Sequence, residues 1–485
     1  MVCSCIAVNL RRDLLPAGFV GGRGGGSAGR PARELARPVG GPGHRRGPGN
    51  GAAAFAVAGN NQLILAPVIF RLLVLLLLLL PGAPAAAYSV LTHQANIDST
   101  WERCLVPAIT RRYPGTTPEQ LTDAKAYAYG GAIVQDMGYY PFGSVLFTNL
   151  THYVRSGDFV RNLIGQAHDR NDYAFALGAL AHYEADLSGH PEGTNRALAS
   201  VYPELRARFG NVITYHQAPK QHTQLEFAFD VVQLASGKYH TQDYHQKIGF
   251  QVSKAALERA FLQTYGLELG QVIVNVDLSI ASFRFAVSQL IPTAARSAWH
   301  YKRKDIQKLS PGARRRDYLQ RHRPKQFRRE YGNEYEKPGF GARIISYFIR
   351  VLPKIGPLKP FAFKLPTPEA QQFFRSSFRT VMAKYCANVA RQPADTAAAP
   401  LALANEDFDT GHPTRAGEYP LADETYGEWL RKLAALKFEN LSPVARQNIL
   451  TFYGTQPKNS VSAEELERNK PKETQEALEQ LRALK

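Results

Sequence analysis

From Tyr88 onward the apolar positions of this chain recur mostly at helical spacing. Tyr173-Ala-Phe-Ala-Leu-Gly-Ala-Leu-Ala181 predicts a buried, Ala-rich helix. Thr92 to Arg103 reads as a capped helix, and Pro118 to Ile133 as a second whose end carries Gly130 and Gly131. Ala255 to Tyr265 and Val272 to Leu290 continue the helical period to about residue 300. Farther on, Thr425 to Leu436, Ser442 to Phe452 and a charged segment beginning near Ser462 read as helices. The pattern is that of a mainly α protein: a compact multi-helix domain with a C-terminal helical extension.

Several stretches break the period. Residues 1–60 are Gly/Arg/Pro-rich with no apolar rhythm, as in Gly21-Gly-Arg-Gly-Gly-Gly26, and residues 1–67 are read as disordered or as a leader with a mis-assigned start. Arg71, the run Leu72-Leu-Val-Leu-Leu-Leu-Leu-Leu-Leu80 and Pro81-Gly-Ala-Pro-Ala-Ala-Ala87 give residues 68–87 the form of a signal peptide. The apolar run is much shorter than the ~20 residues of a spanning helix. Cleavage after Ala87 would make Tyr88 the first residue and imply an exported protein, periplasmic, secreted or on an outer surface.

Composition adds charge to this picture. Lys and Arg number 59 against 41 Asp and Glu, a net +18, of which +11 remains after the leader is removed. An excess of this size suits an anionic surface such as phospholipid or nucleic acid, and is equally compatible with a soluble basic protein. Removal of the leader takes Cys3 and Cys5 with it and leaves Cys104 and Cys386, far apart in sequence. Such spacing alone does not fix a disulfide.

Residues 88–300 form the expected catalytic domain, followed by a basic and amphipathic extension over 301–390 and a linker with helices over 391–485. The basic clusters of residues 302–329 fit either a membrane-facing arm or a solvated loop. Residues 344–365 mix apolar clusters with spaced cations and prolines, so that 302–365 as a whole is the candidate for contact with a membrane surface. Residues 344–365 equally suit packing on the rest of the helical domain. Residues 391–415 read as linker or loop.

The chemistry is concentrated in His182-Tyr-Glu-Ala-Asp186-Leu-Ser-Gly-His190. At about 3.6 residues per turn, spacings of four and four put three metal-competent side chains on one helix face. Imidazole and carboxylate together suit zinc, which binds such ligands at about 2.0–2.2 Å. His222-Thr-Gln-Leu-Glu226 repeats the pairing, and His93, Asp136 and His152 complete a ledger of eight ligand-type residues. His168 and His216 lack a carboxylate at helical spacing and are read as surface or supporting residues. No G-x-S-x-G elbow and no Cys/His pairing offers a nucleophile.

The order Tyr-x4-His, then Asp, His, His-x3-Asp-x3-His and His-x3-Glu resembles the zinc-dependent phospholipase C and single-strand nuclease superfamily. The spacing before His190 is most similar to the catalytic domain of glycosylphosphatidylinositol-specific phospholipase D and its bacterial relatives. The resemblance covers residues 88 to about 240. It implies that Asp136, His152, His182 and Asp186 hold one zinc ion, and that His190, His222 and Glu226 hold a second. A third would sit on His93, on a bridging Asp186 and on the amine and carbonyl of Tyr88, where the family has Trp. Two or three zinc ions at these places would neutralise a phosphodiester and lower the pKa of a water toward about 7. Asp186 would set the metal separation and Asp136 would orient or deprotonate the water. The implied substrate is a phospholipid. Two rivals are a nuclease or nucleotidase acting on single-stranded nucleic acid, with Tyr139, Tyr140 and Phe142 as a stacking platform, and a non-enzymatic, zinc-stabilised envelope protein.

Overall fold

The computed structural model describes residues 90–235, 250–285, 287, 303–304, 307–308, 363–395, 397–454 and 471–484. The leader, the apolar run, Tyr88, and all but short fragments of 302–329 and 344–365 lie outside the described residues. What is described is α-helical apart from one two-residue hairpin.

The helices are α1 (Val90–Thr100), α2 (Val106–Arg112), α3 (Pro118–Val134), α4 (Val145–Tyr153), α5 (Ser156–Gly165), α6 (Arg170–Gly189), α7 (Asn195–Val201), α8 (Pro203–Phe209), α9 (Pro219–Ala235), α10 (Lys254–Tyr265), α11 (Leu269–Val272) and α12 (Val276–Phe285). After residue 363 come α13 (Pro368–Arg391), β1 (Glu406–Asp407), β2 (His412–Pro413), α14 (Pro420–Ala435), α15 (Pro443–Gly454) and α16 (Lys472–Ala483). Among the described residues no helix is long and apolar enough to cross a membrane.

The central element is α6. Asp169 caps it by accepting the Asp172 amide at 2.8 Å, and from Tyr173 to Asp186 every side chain is buried. A helix apolar on all sides must lie inside a bundle, and α6 is covered by α3, α5 and α13. Its closest neighbour is α3, started by Thr117: the Thr117 hydroxyl accepts the Gln120 amide, and the Gln120 side chain accepts the Thr117 amide. Where α3 and α6 cross, Gly131 faces the Phe175 backbone and Gly178 faces the backbone of Ala128 and Ala132.

Two helices end differently from the sequence expectation. After Thr100, residues Trp101–Leu105 widen into a π turn before Pro107. After Gly189, residues His190–Thr194 do the same, because Pro191 has no amide to continue the α ladder. His182 and Asp186 are therefore on α6 proper, and His190 opens a wider turn that carries it toward α9.

The C-terminal part packs closely on this body. Cys104 and Cys386 form a disulfide joining the first π turn to α13, Tyr385 Oη donates to Leu177 O at 3.0 Å, and the buried Trp429 Nε1 donates to Tyr265 O at 2.8 Å.

Candidate metal centre

The first group of ligand-type side chains converges from four segments. Within α6, His182 Nε2 lies 3.2 Å from Asp186 Oδ2. From α4, His152 Nε2 lies 3.4 Å from Asp186 Oδ2 and 3.4 Å from Asp136 Oδ1, with Asp136 on the 3-10 turn that follows α3. From α1, His93 Nε2 lies 3.5 Å from Asp186 Oδ1, and its ring stacks on His182 at 4.3 Å.

The ring orientations are fixed from behind. His152 Nδ1 faces Thr148 O at 2.8 Å and His182 Nδ1 faces Ala132 O at 3.0 Å. A carbonyl only accepts, so both Nδ1 atoms carry the proton and both Nε2 atoms present lone pairs inward. These two Nε2 atoms are 3.3 Å apart, a spacing that a cation between two neutral rings would satisfy. Ligand atoms on a tetrahedral zinc ion lie about 3.3 Å from one another, given bonds of about 2.0–2.1 Å. The observed separations of 3.2–3.5 Å match that edge length. Both oxygens of Asp136 and of Asp186 are buried without a hydrogen bond, which is what a carboxylate reserved for a cation looks like.

The second group lies beside it. His222 Nδ1 is 3.0 Å from Glu226 Oε1, one turn along α9. His190 Nε2 is 3.7 Å from the same oxygen and 3.8 Å from Asp186 Oδ1. Asp186 thus faces both groups, with Oδ2 toward His152 and His182 and Oδ1 toward His93 and His190. None of the eight residues is more than 2% exposed.

The electrostatics point the same way. Burial opposes charge on His152, but the Asp136 and Asp186 carboxylates outweigh it and push its pKa up to about 9. Burial would raise Asp186, yet the neighbouring imidazoles of His182 and His190 hold it well below the usual carboxylate range. His190 is moved upward, since Asp186 and Asp409 outweigh burial, whereas burial lowers His222. Among the described residues, every ion-pair partner of Asp136, Asp186 and Asp409 is an imidazole. So many carboxylates in a dry interior need cationic compensation, which charged imidazoles give without a metal and divalent ions on neutral imidazoles would give with one.

Sequence reasoning missed Asp409, which is fully buried on the loop between β1 and β2, 3.4 Å from His190 Nδ1. It also missed Asn195, whose side chain bridges His222 and the Asp409 carbonyl. The stretch Asn405-Glu-Asp-Phe-Asp-Thr-Gly-His412, acidic within an Ala/Pro-rich surround, was the available signal. His168 and His216 are exposed. Tyr139 is buried edge-on against His152 and offers no open face to a base, while Phe142 is 52% exposed.

No curated protein and no solved structure matches the chain. Residues 92–273 match the family model described as zinc dependent phospholipase C. That span holds all eight side chains of the two groups and excludes Asp409. The match and the buried imidazole–carboxylate cluster together place residues 92–273 in the zinc-dependent phospholipase C family.

Proposed function

We propose that this chain is a zinc-dependent phosphodiester hydrolase that cleaves phospholipids in the manner of phospholipase C. The observation that carries the reading is the position of Asp186, buried among four imidazoles with Oδ2 turned to His152 and His182 and Oδ1 turned to His93 and His190. Asp136, His152, His182 and Asp186 are assigned to one ion, and His190, His222 and Glu226 to a second. His93 and Asp186, with the amine and carbonyl of Tyr88, are assigned to a third.

Zinc in these places supplies positive charge that neutralises the phosphate oxygens and lowers the pKa of a water. The chain's own contribution is positioning. Thr148 O and Ala132 O hold two imidazoles with Nε2 inward, and Asp186 fixes the separation of the two groups. Asp136 accepts the proton of the attacking water as the water oxygen bonds to phosphorus. The bond from phosphorus to the glycerol oxygen breaks, and the leaving alkoxide takes up the proton that Asp136 accepted, which restores the carboxylate. Export is part of the same proposal, since the Cys104–Cys386 disulfide suits an oxidising compartment.

The test is metal analysis of protein purified without chelator, followed by incubation with phosphatidylcholine, phosphatidylinositol and single-stranded DNA. Two or three zinc ions and release of diacylglycerol are expected. Fewer than one zinc per chain, or no cleavage of either lipid, overturns the proposal. Cleavage of DNA alone would instead select the nuclease reading.

A further inference from the structure

We infer that Asp409, which lies beyond the family-matched span, is a positioning residue for the second metal group, an inference that rests on the zinc reading above. By proximity alone, His190, His222 and Asp409 make a metal-sized group. The hydrogen bonds put the ion elsewhere. Asn195 Nδ2 donates to Asp409 O at 2.7 Å. A carbonyl only accepts, so the orientation of the Asn195 amide is fixed, and it is Asn195 Oδ1 that faces His222 Nε2 at 2.9 Å. An amide oxygen also only accepts, so His222 Nε2 carries the ring proton. The lone pair is then on Nδ1, which has no hydrogen bond and points at Glu226.

His190 divides in the same way. Its Nε2 faces Glu226 and Asp186, and its Nδ1 faces Asp409 Oδ1. The atoms turned to the metal are therefore His190 Nε2, His222 Nδ1 and the Glu226 carboxylate. Asp409 stands behind the rings, its Oδ1 3.4 Å from His190 Nδ1 and 3.7 Å from His222 Nε2, where it would take the His190 Nδ1 proton once Nε2 is turned to the metal. Its other oxygen is already held by Tyr419 Oη at 2.6 Å and the Tyr215 amide at 2.8 Å, so the carboxylate itself is fixed. A carboxylate behind a metal-bound imidazole sets the ring's tautomer and raises its basicity.

The experiment compares the purified full chain with Asp409→Asn and Tyr419→Phe. Zinc affinity is read by chelator competition, zinc content at saturation by metal analysis, and stability by melting of the metal-free protein. Asp409→Asn is expected to weaken one zinc roughly 10–100-fold while the content at saturating zinc stays at the wild-type value. Tyr419→Phe keeps the carboxylate and is expected to lower melting more than affinity. Unchanged affinity in Asp409→Asn overturns the inference. Loss of a whole ion at saturation overturns it too, because Asp409 would then be a ligand. Equal affinity losses in the two variants would assign the effect to loop packing and likewise overturn it. A readout that needs no substitution is the isotope-edited imidazole spectrum of the zinc-loaded wild type. It should show the proton on Nε2 of His222 and on Nδ1 of His190, and the opposite tautomers sink the inference. A wild-type chain that takes up no zinc at all overturns the function proposed above, whereas one that takes up zinc with an indifferent Asp409 overturns only this inference.

Discussion

Gly178→Ala tests whether the site depends on how closely α3 and α6 approach. A methyl at Gly178 would stand 2.8 Å from Ala132 N and nearer still to Ala128 O. Both are backbone atoms of a packed helix, so no side chain can swing aside. Ordinary contact begins at 3.4 Å, so relieving the nearest contact, Ala128 O, requires the helices to separate by about 1.3 Å. Alanine in a helix interior is favoured over glycine by about 1 kcal/mol, while overpacking a core costs about 1–3 kcal/mol. The net expectation is modest destabilisation, up to about 2 kcal/mol. The metal site should suffer more. One helix leads into Asp136 and supplies the Ala132 carbonyl; the other carries His182 and Asp186. Metal–ligand distances tolerate only about 0.2 Å, and a misplacement near 1 Å can cost about 100-fold in rate. Gly178→Ala is therefore expected to retain most of its helix signal, to melt somewhat lower, and to lose zinc and about 100-fold of the proposed lipid hydrolysis. Gly270→Ala is the control, since nothing lies within 4 Å of the added methyl. It should be neutral, or more stable by about 0.5–1 kcal/mol. If Gly178→Ala melts like wild type and holds its full zinc content, the close approach of the two helices is not what sets the site.

Three further outcomes are expected. Asp186→Asn should reduce activity more than Glu226→Gln, because Asp186 is assigned to two ions and Glu226 to one; equal and mild losses would mean that the shared role is assigned wrongly. Cys386→Ser should lower stability by about 2–4 kcal/mol, because the bond ties residues 282 positions apart, and unchanged melting under reducing and oxidising conditions would refute this. A chain carrying one residue ahead of Tyr88 should bind one zinc less tightly, since an amide nitrogen has no lone pair to offer. The chain just beyond Tyr88 is held in place by Asp230, which accepts from the Leu91 amide at 3.2 Å and from Thr92 Oγ1 at 2.7 Å. Equal zinc content in extended and cleaved protein would remove the residue 88 assignment and leave the side-chain sites standing.

The readable part of the site was the part that helical periodicity encodes. His182 with Asp186, and His222 with Glu226, are spaced by one turn, so their meeting follows from the helix itself. His190 was read on the same face; the wider turn at Pro191 instead carries it to the second group, which spacing alone does not reveal. Asp136 and His152 meet only because α3 ends in a tight turn and α4 returns beside it, and there the family resemblance supplied what periodicity did not. Asp409 escaped both routes. It lies on a loop without period and outside the matched span, and its role comes wholly from where the tertiary fold puts that loop.

The loop has a consequence for how the molecule is made. Ribosomes deliver residues 93 to 226 long before residue 409, and the Cys104–Cys386 bond likewise waits for its second partner. Such long-range closures are slow and come late in folding. During that interval His190 lacks Asp409 behind it, while Asn195 is already present behind His222, and on the inference above the second group would take metal weakly. Maturation then has a built-in order, with full metal loading the last event and dependent on synthesis being nearly complete. If the chain hydrolyses phospholipid as proposed, delayed metallation would keep an unfinished chain from cutting the membranes of the cell that makes it.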